Sequence, residues 1–471
     1  MYSTNVLLCG ILLVLGITNA QAQYGPQEII STAIESPYLS IPFDIDNDGA
    51  LDVVTASTQD HKLRWFKNND GTGTFETETI INENPVFYLS IDFVDLDTDG
   101  DKDILFLENN PRNIVWLENL DGSGNFGAEQ IIVAEQFDFI TGVSVIDLDS
   151  DGDLDLIASI TDTFIDRIVW YENTDSLGSF EDENLLIDNF QNLTPPILAD
   201  INNDGNLDIL TSHENNGPAK IVWFESLGNA IFGPEQEIHQ FGYSDHPNSD
   251  YTHVGFMQYV DINTDDKKDI VVTTYNDDVG IYVRWLNNLG EQGEFNNLQL
   301  IPNINNSEYQ FFDLTDDGDL DVLIWNRHTN EFSWAENEDS QGTFGDKKTI
   351  TTNIDFPADA SAGDFDSDGL LDLVSASLGD NKVAWYKNIG LGIEENNLNN
   401  FTVYPNPTKN KVKITSNQTI ATVNIFNLLG QKIKETRSAN TINLSGLDSG
   451  VYLLQIKTKT GTPQTHKIIK E

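Results

Sequence analysis

Asp44, Asp46, Asp48 and Asp52 occupy positions 1, 3, 5 and 9 of one short segment, with Gly49 at position 6. Four carboxylates this close repel one another unless a counter-ion joins them. Alternate positions let a curled backbone aim three side chains at one point. Glycine permits the sharp turn, usually with positive φ. A backbone carbonyl near position 7 and the late carboxylate can complete an all-oxygen cage. Such a cage suits Ca2+. Zinc is disfavoured, because the segment offers neither Cys nor His.

The phrase D-x-[DN]-x-D-G-x-x-D, followed by an apolar run, is written seven times, starting at Asp44, Asp95, Asp147, Asp200, Asp261, Asp313 and Asp364. The intervals are 51, 52, 53, 61, 52 and 51 residues. The second set (Asp95, Asp97, Asp99, Asp103), the third (Asp147, Asp149, Asp151, Asp155) and the seventh (Asp364, Asp366, Asp368, Asp372) are complete, like the first. The fourth is Asp200, Asn202, Asp204 and Asp208. The fifth is Asp261, Asn263, Asp265 and Asp269, with Asp266 in place of the glycine, and the sixth is Asp313, Thr315, Asp317 and Asp321. Up to seven Ca2+ ions are expected. The fifth and sixth sites should be weakest, because ligand charge and loop geometry both suffer. Plain hairpin turns would explain one copy, but a polar turn does not need a carboxylate at four positions in register.

These loops must join strands. An EF-hand would place Glu at position 12, whereas the first copy has Thr55 and the second Phe106. The flanks Leu51–Ala56 and Asp103–Leu107 are short, apolar and β-branched. Each repeat continues with an aromatic phrase centred on Trp65, Trp116, Trp170, Trp223, Trp285, Trp334 or Trp385. These tryptophans could form a sugar-stacking platform, but the same position in every repeat better fits a packed core between repeats. An Asn usually follows, as at Asn68, Asn119 and Asn173, and then in six repeats a glycine-rich turn and a last strand. Four short strands per ~50 residues make one propeller blade. The seventh repeat lacks its outer strand, and Tyr24–Ile30 resembles the missing piece. The N-terminal strand should therefore close the ring and remove two open sheet edges.

Charge divides the chain. Residues 396–471 carry 10 Lys+Arg against 3 Asp+Glu, whereas the rest carries 15 against 73. So acidic a body argues against nucleic acid as partner. Residues 1–22 read as a secretory signal peptide ending in Ala20-Gln21-Ala22, although its start lacks Lys or Arg. Cys9 lies inside it, so the mature chain should contain no cysteine and no transmembrane segment. The remaining boundaries are expected at 23–392 for the propeller, 393–400 for an Asn-rich linker and 401–471 for a small β-sandwich.

The Asp-loop repeats resemble the FG-GAP/VCBS repeats of integrin-α-like seven-bladed propellers. The C-terminal segment resembles the type A sorting domain of the type IX secretion system, through Tyr404-Pro405-Asn406-Pro407, Asn427-Leu428-Leu429-Gly430, Ser449-Gly450-Val451-Tyr452 and Lys467-Ile468-Ile469-Lys470. The resemblance implies an all-β chain, a seven-bladed β-propeller followed by a small C-terminal β-sandwich. It also implies export through the type IX machinery, engaged by residues 401–471, to the medium or the outer-membrane surface.

The fold does not dictate the activity. The expected function is that of a monomeric, calcium-binding, non-enzymatic binding or adhesion module for a glycan or protein ligand. The alternative is a carbohydrate-active enzyme such as a polysaccharide lyase. The longest interval contains His239, Tyr243, Asp245, His246, Tyr251 and His253, which should lie on the face opposite the Asp loops. No catalytic residue is assigned. The enzyme reading would draw its acid–base pair from His246, His253 and Tyr251, and no nucleophile elbow, phosphate loop or zinc signature offers another.

Overall fold

The computed structural model describes residues 23–390 and 402–470 apart from short segments, the longest being 243–251. The proposed signal peptide, the linker 393–400, and Tyr243, Asp245, His246 and Tyr251 lie outside the described residues. The chain divides into two compact units, Ala22–Gly390 and one that includes Leu391–Glu471.

In the first unit, alternating apolar runs and turns fold into seven four-stranded antiparallel sheets. The first comprises Ile41–Phe43, Asp52–Ala56, Leu63–Phe66 and Thr79–Asn82. The second strand of each sheet is its most buried: Asp52–Ala56, Asp103–Glu108, Asp208–His213 and Asp372–Ser377 are buried at every residue. A strand covered on both faces explains why these runs are continuously apolar rather than alternating.

The seventh sheet joins Pro357–Gly363, Asp372–Ser377 and Lys382–Tyr386 to the N-terminal strand Glu28–Ser31. Glu28 pairs with Trp385 and Ile29 with Ala384. Tyr24 bridges Asn388, and the Gly25 amide donates to the Lys387 carbonyl at 2.8 Å. The ring is thus closed by its N-terminal strand, as the sequence predicts. Cores form between successive blades all the way round. Val54, Trp65, Phe106 and Val115 join the first and second, and Val53, Phe66, Val374 and Trp385 join the seventh back to the first.

Six of the seven repeat tryptophans are buried, at 2–7 % exposure, and Trp170 is half-buried. That excludes an exposed stacking platform for those six and confirms the core role. In three blades the Asn after the tryptophan strand ties neighbouring blades together as well, Asn337 Nδ2 donating to the Ile262 carbonyl of the fifth. Asn68 Nδ2 donates to the Phe365 carbonyl of the seventh blade, and Asn388 Nδ2 to the Leu314 carbonyl of the sixth.

The second unit packs a three-stranded sheet (Thr402–Tyr404, Lys411–Thr415, Thr441–Asn443) on a four-stranded one (Lys432–Arg437, Ile420–Phe426, Gly450–Thr458, Gln464–Lys470). Their shared core includes Val412, Ile414, Val423, Ile425, Leu454 and Ile456. The Tyr404-Pro405-Asn406-Pro407 phrase is fastened to the last strand. Asn406 Oδ1 accepts from the Ile469 amide at 2.8 Å, and its Nδ2 donates to the Lys467 carbonyl.

Candidate metal centre

Each Asp loop connects the first and second strands of a blade, so all seven open on one face. Their backbone is set by the sequence. Position 4 has positive φ throughout, from Asn47 at 57° to Ser367 at 57°. Position 6 lies near φ 90° where it is glycine, as in Gly49 at 91° and Gly369 at 90°. In the fifth loop Asp266 holds this place at φ 65°, a tighter left-handed conformation that a short acid tolerates.

The position 1 carboxylate organises the curl. Asp44 Oδ1 accepts from the Asp48 amide at 3.1 Å and its Oδ2 from Gly49 at 2.9 Å. Asp200, Asp261, Asp313 and Asp364 accept from the same two amides of their own loops. The position 5 carboxylate accepts from position 7, as when Asp99 receives the Asp101 amide at 2.9 Å.

Position 9 is fully buried in all seven blades, at Asp52, Asp103, Asp155, Asp208, Asp269, Asp321 and Asp372. One oxygen accepts the position 2 amide, and the other accepts the amide of the residue after the tryptophan strand. For Asp103 these are Leu96 at 3.1 Å and Asn119 at 2.8 Å. The late carboxylate is thus a clamp between loop and third strand as well as a candidate ligand. A carboxylate oxygen with one hydrogen bond keeps a lone pair for a cation. Burial pushes Asp52, Asp103, Asp155 and Asp269 up to about 6 and Asp321 and Asp372 to about 7, opposed by the amides they accept.

Carboxylate oxygens converge within 4.8 Å of one another in four loops: Asp44–Asp46–Asp48, Asp95–Asp97–Asp99, Asp147–Asp149–Asp155 and Asp364–Asp366–Asp372. In the third loop Glu172, from the tryptophan strand side, joins Asp149 and Asp151 in another such group. Asp95 Oδ1 in the second loop is buried without a hydrogen-bond partner. These all-oxygen groups fit a hard cation. Ca2+ bound there would neutralise the converged charge and cross-link the loop.

In the first loop, Lys67 Nζ contacts Asp46 and lies 2.9 Å from Asp48 Oδ2. In the seventh, Lys387 Nζ contacts Asp366 and lies 3.0 Å from Asp368 Oδ2. Hydrogen bonding to Lys67 holds the Asp48 carboxyl below the usual range. Sequence reasoning missed both lysines. The signal was available in the residue just before the Asn that caps position 9.

On the opposite face, the described flanks of the long interval meet the fourth blade. Gln240 pairs with Lys220 and Lys220 with His213, at the blade end remote from Asp208. His253 Nδ1 lies 2.5 Å from Glu214 Oε1, its ring stacks on Tyr275 at 5.1 Å, and Glu214 also accepts from Asn192 Nδ2 at 2.6 Å. His253 is thus held by a carboxylate and an aromatic ring. An open groove of about 480 Å³ lies along the outer strands of the third and fourth blades, between Leu185, Ile187, Phe190, Phe232 and Glu235. Arg284 is buried and donates to Thr274 in its own blade, and Arg327 pairs with Glu308 at 2.7 Å.

Models of known families match in two places. The FG-GAP-like repeat matches residues 44–106, 95–158 and 313–375, and the secretion system C-terminal sorting domain matches 402–471. A "T-cell immunomodulatory protein homolog" of Plasmodium falciparum is 25 % identical over 346 residues, covering 55 % of this chain and 47 % of that protein. The chain spans about half the length of the curated relatives it matches. Among solved structures, a lectin of Agrocybe aegerita, described as recognising non-reducing terminal N-acetylglucosamine, aligns at 18 % identity and TM-score 0.47, covering 73 % of this chain and 86 % of that one. The Dos1 propeller aligns at 8 % identity and TM-score 0.41, covering 72 % and 75 %. No described helix is long and apolar enough to cross a membrane.

Proposed function

Starting from a chain that carries FG-GAP-like repeats on a seven-bladed propeller and a sorting domain for type IX export to the cell surface or medium, we propose that it is a calcium-stabilised, non-enzymatic binding module. The observation that carries this reading is the use made of the acids. Positions 1, 5 and 9 accept backbone amides within their own blades, as Asp200, Asp204 and Asp208 do. Carboxylates arranged in this way build a scaffold that a cation can complete. Calcium then fixes the strand-connecting loops of one face and leaves the opposite face and the rim free to bind a glycan or protein. The open groove beside Leu185 and Phe232 offers one such surface.

The pairing of His253 with Glu214 keeps a second reading in play, a carbohydrate-active enzyme using that histidine as a base. One experiment separates the two. The full chain, with calcium, is incubated with neutral and uronic-acid polysaccharides, and retention and product release are both recorded. Retention without turnover is expected for a lectin-like module. Release of unsaturated sugar would overturn the non-enzymatic reading. Neither signal would direct the search to protein ligands.

A further inference from the structure

One position, set by the fold and lying on no Asp loop, sorts the seven loops into classes. It is the residue just before the one whose amide caps position 9: Lys67, Glu118, Glu172, Glu225, Asn287, Glu336 and Lys387 in blade order. It lies at the end of the tryptophan strand, and in the first, third, fourth and seventh blades it reaches the loop of its own blade. In the first and seventh blades it delivers an ammonium between positions 3 and 5, with the same geometry both times. In the third blade it delivers a carboxylate to the same place, where Glu172 groups with Asp149 and Asp151. Glu225 Oε1 in the fourth lies 3.4 Å from Asn202 Nδ2 at position 3.

We propose that the first and seventh loops carry their own cation, Lys67 or Lys387, in place of calcium, and that Glu172 is an additional calcium ligand that makes the third loop the strongest site. The inference rests on the calcium reading of the loops. An ammonium on a four-carbon stem is present at high effective concentration whatever the medium contains. It contacts one oxygen of each of the two carboxylates that a divalent ion would have to bridge, leaving Asp46 Oδ1 and Asp366 Oδ1 buried without a hydrogen-bond partner, and the ion would have to expel it. A glutamate at the same position instead adds ligand charge, which tightens a calcium site. This ranking differs from the one the loops give alone, since all three of these loops have the complete aspartate set. It also has a geometric logic. The two lysine loops flank the seam where the ring closes, and Asn68 Nδ2 reaches across that seam to the Phe365 carbonyl within the seventh loop. The seam would then be held without metal, while the third blade responds to calcium.

The test is calcium stoichiometry of the full chain by native mass spectrometry and by equilibrium dialysis of calcium alone. Circular dichroism checks the fold of each variant. Wild type should take up no more than five ions. The double variant Lys67→Glu/Lys387→Glu should gain up to two. Lys67→Met/Lys387→Met, which removes the ammonium without adding a ligand, should gain ions too, at lower affinity. Glu172→Lys should lose the tightest ion. Seven ions on wild type, or lysine variants that fold yet gain none, would overturn the proposal. Uptake of no ion by any variant would overturn the calcium reading itself and this partition with it, a result distinct from seven.

Discussion

Gly73 of the first blade lies directly against the indole of Trp385 in the seventh. A Cβ added at Gly73 would stand 2.5 Å from the ring, and the residue sits at φ 73°. The same contact recurs one blade on, where Gly124 faces Trp65 at 2.7 Å. In these hairpins, as in those of Gly178, Gly293 and Gly342, the glycine turn is therefore part of the core between blades. Gly73→Ala is expected to lower stability by about 2 kcal/mol or more, combining backbone strain with overpacking. Gly49→Ala, with positive φ but nothing within 4 Å of the new Cβ, should cost about half as much. Thermal melts of the two variants compare them, and equal losses would show that the indole contact contributes nothing.

Removing residues 23–31 should lower the melting temperature sharply. The segment supplies the outer strand of the seventh blade, and Tyr24 is buried among Leu314, Trp325 and Trp334. Its loss exposes that core and leaves an open strand edge. A melting temperature within a degree of wild type would refute closure by this strand.

Chelation should lower the melting temperature, and added calcium should restore it in a concentration-dependent way. Each occupied site contributes about 2.7 kcal/mol at a hundredfold excess over its Kd. Differential scanning calorimetry across a calcium series reads the effect. A transition indifferent to both chelator and calcium would dispose of the metal assignment.

Asp359 supplies a pH signature away from the loops. It accepts from the Ser40 amide at 2.7 Å and from the Ser40 hydroxyl, Glu308 faces it with like charge, and burial pushes its carboxyl up to about 6. The folded state then binds more protons than the unfolded state between about pH 4 and 6, so this group's contribution to stability falls as pH rises through that window. Asp359→Asn should therefore gain on wild type from pH 4.5 to 7.5, by about 1–2 kcal/mol, the upper figure being the full linkage of a carboxyl raised to about 6. Paired melts at the two pH values measure the gap, and one that stays constant would rule out a raised carboxyl here.

The sequence discloses whatever the fold repeats. Asp44 and its six counterparts, and Trp65 and its own, recur at the same offset because every blade solves the same packing problem. Their role could be read from side-chain type and period. What stays hidden depends on one chain segment meeting another. Lys67 lies 21 residues from Asp46, and only the folded hairpin places its ammonium there. Position 9 reads as one more acid in a loop, yet its link to the Asn119 amide is visible only when the third strand lies beside the loop. The contact of Gly73 with Trp385 is hidden for the same reason, since it joins opposite ends of the propeller.

Gln27 Nε2 donates to Tyr386 Oη, 359 residues further along the chain. The first strand to leave a ribosome or a membrane pore thus waits for nearly the last part of the propeller before it has a partner. A loop closure of that length is slow, because entropy must be lost before any contact rewards it. Until then the blades already formed are an open arc with a free edge at each end.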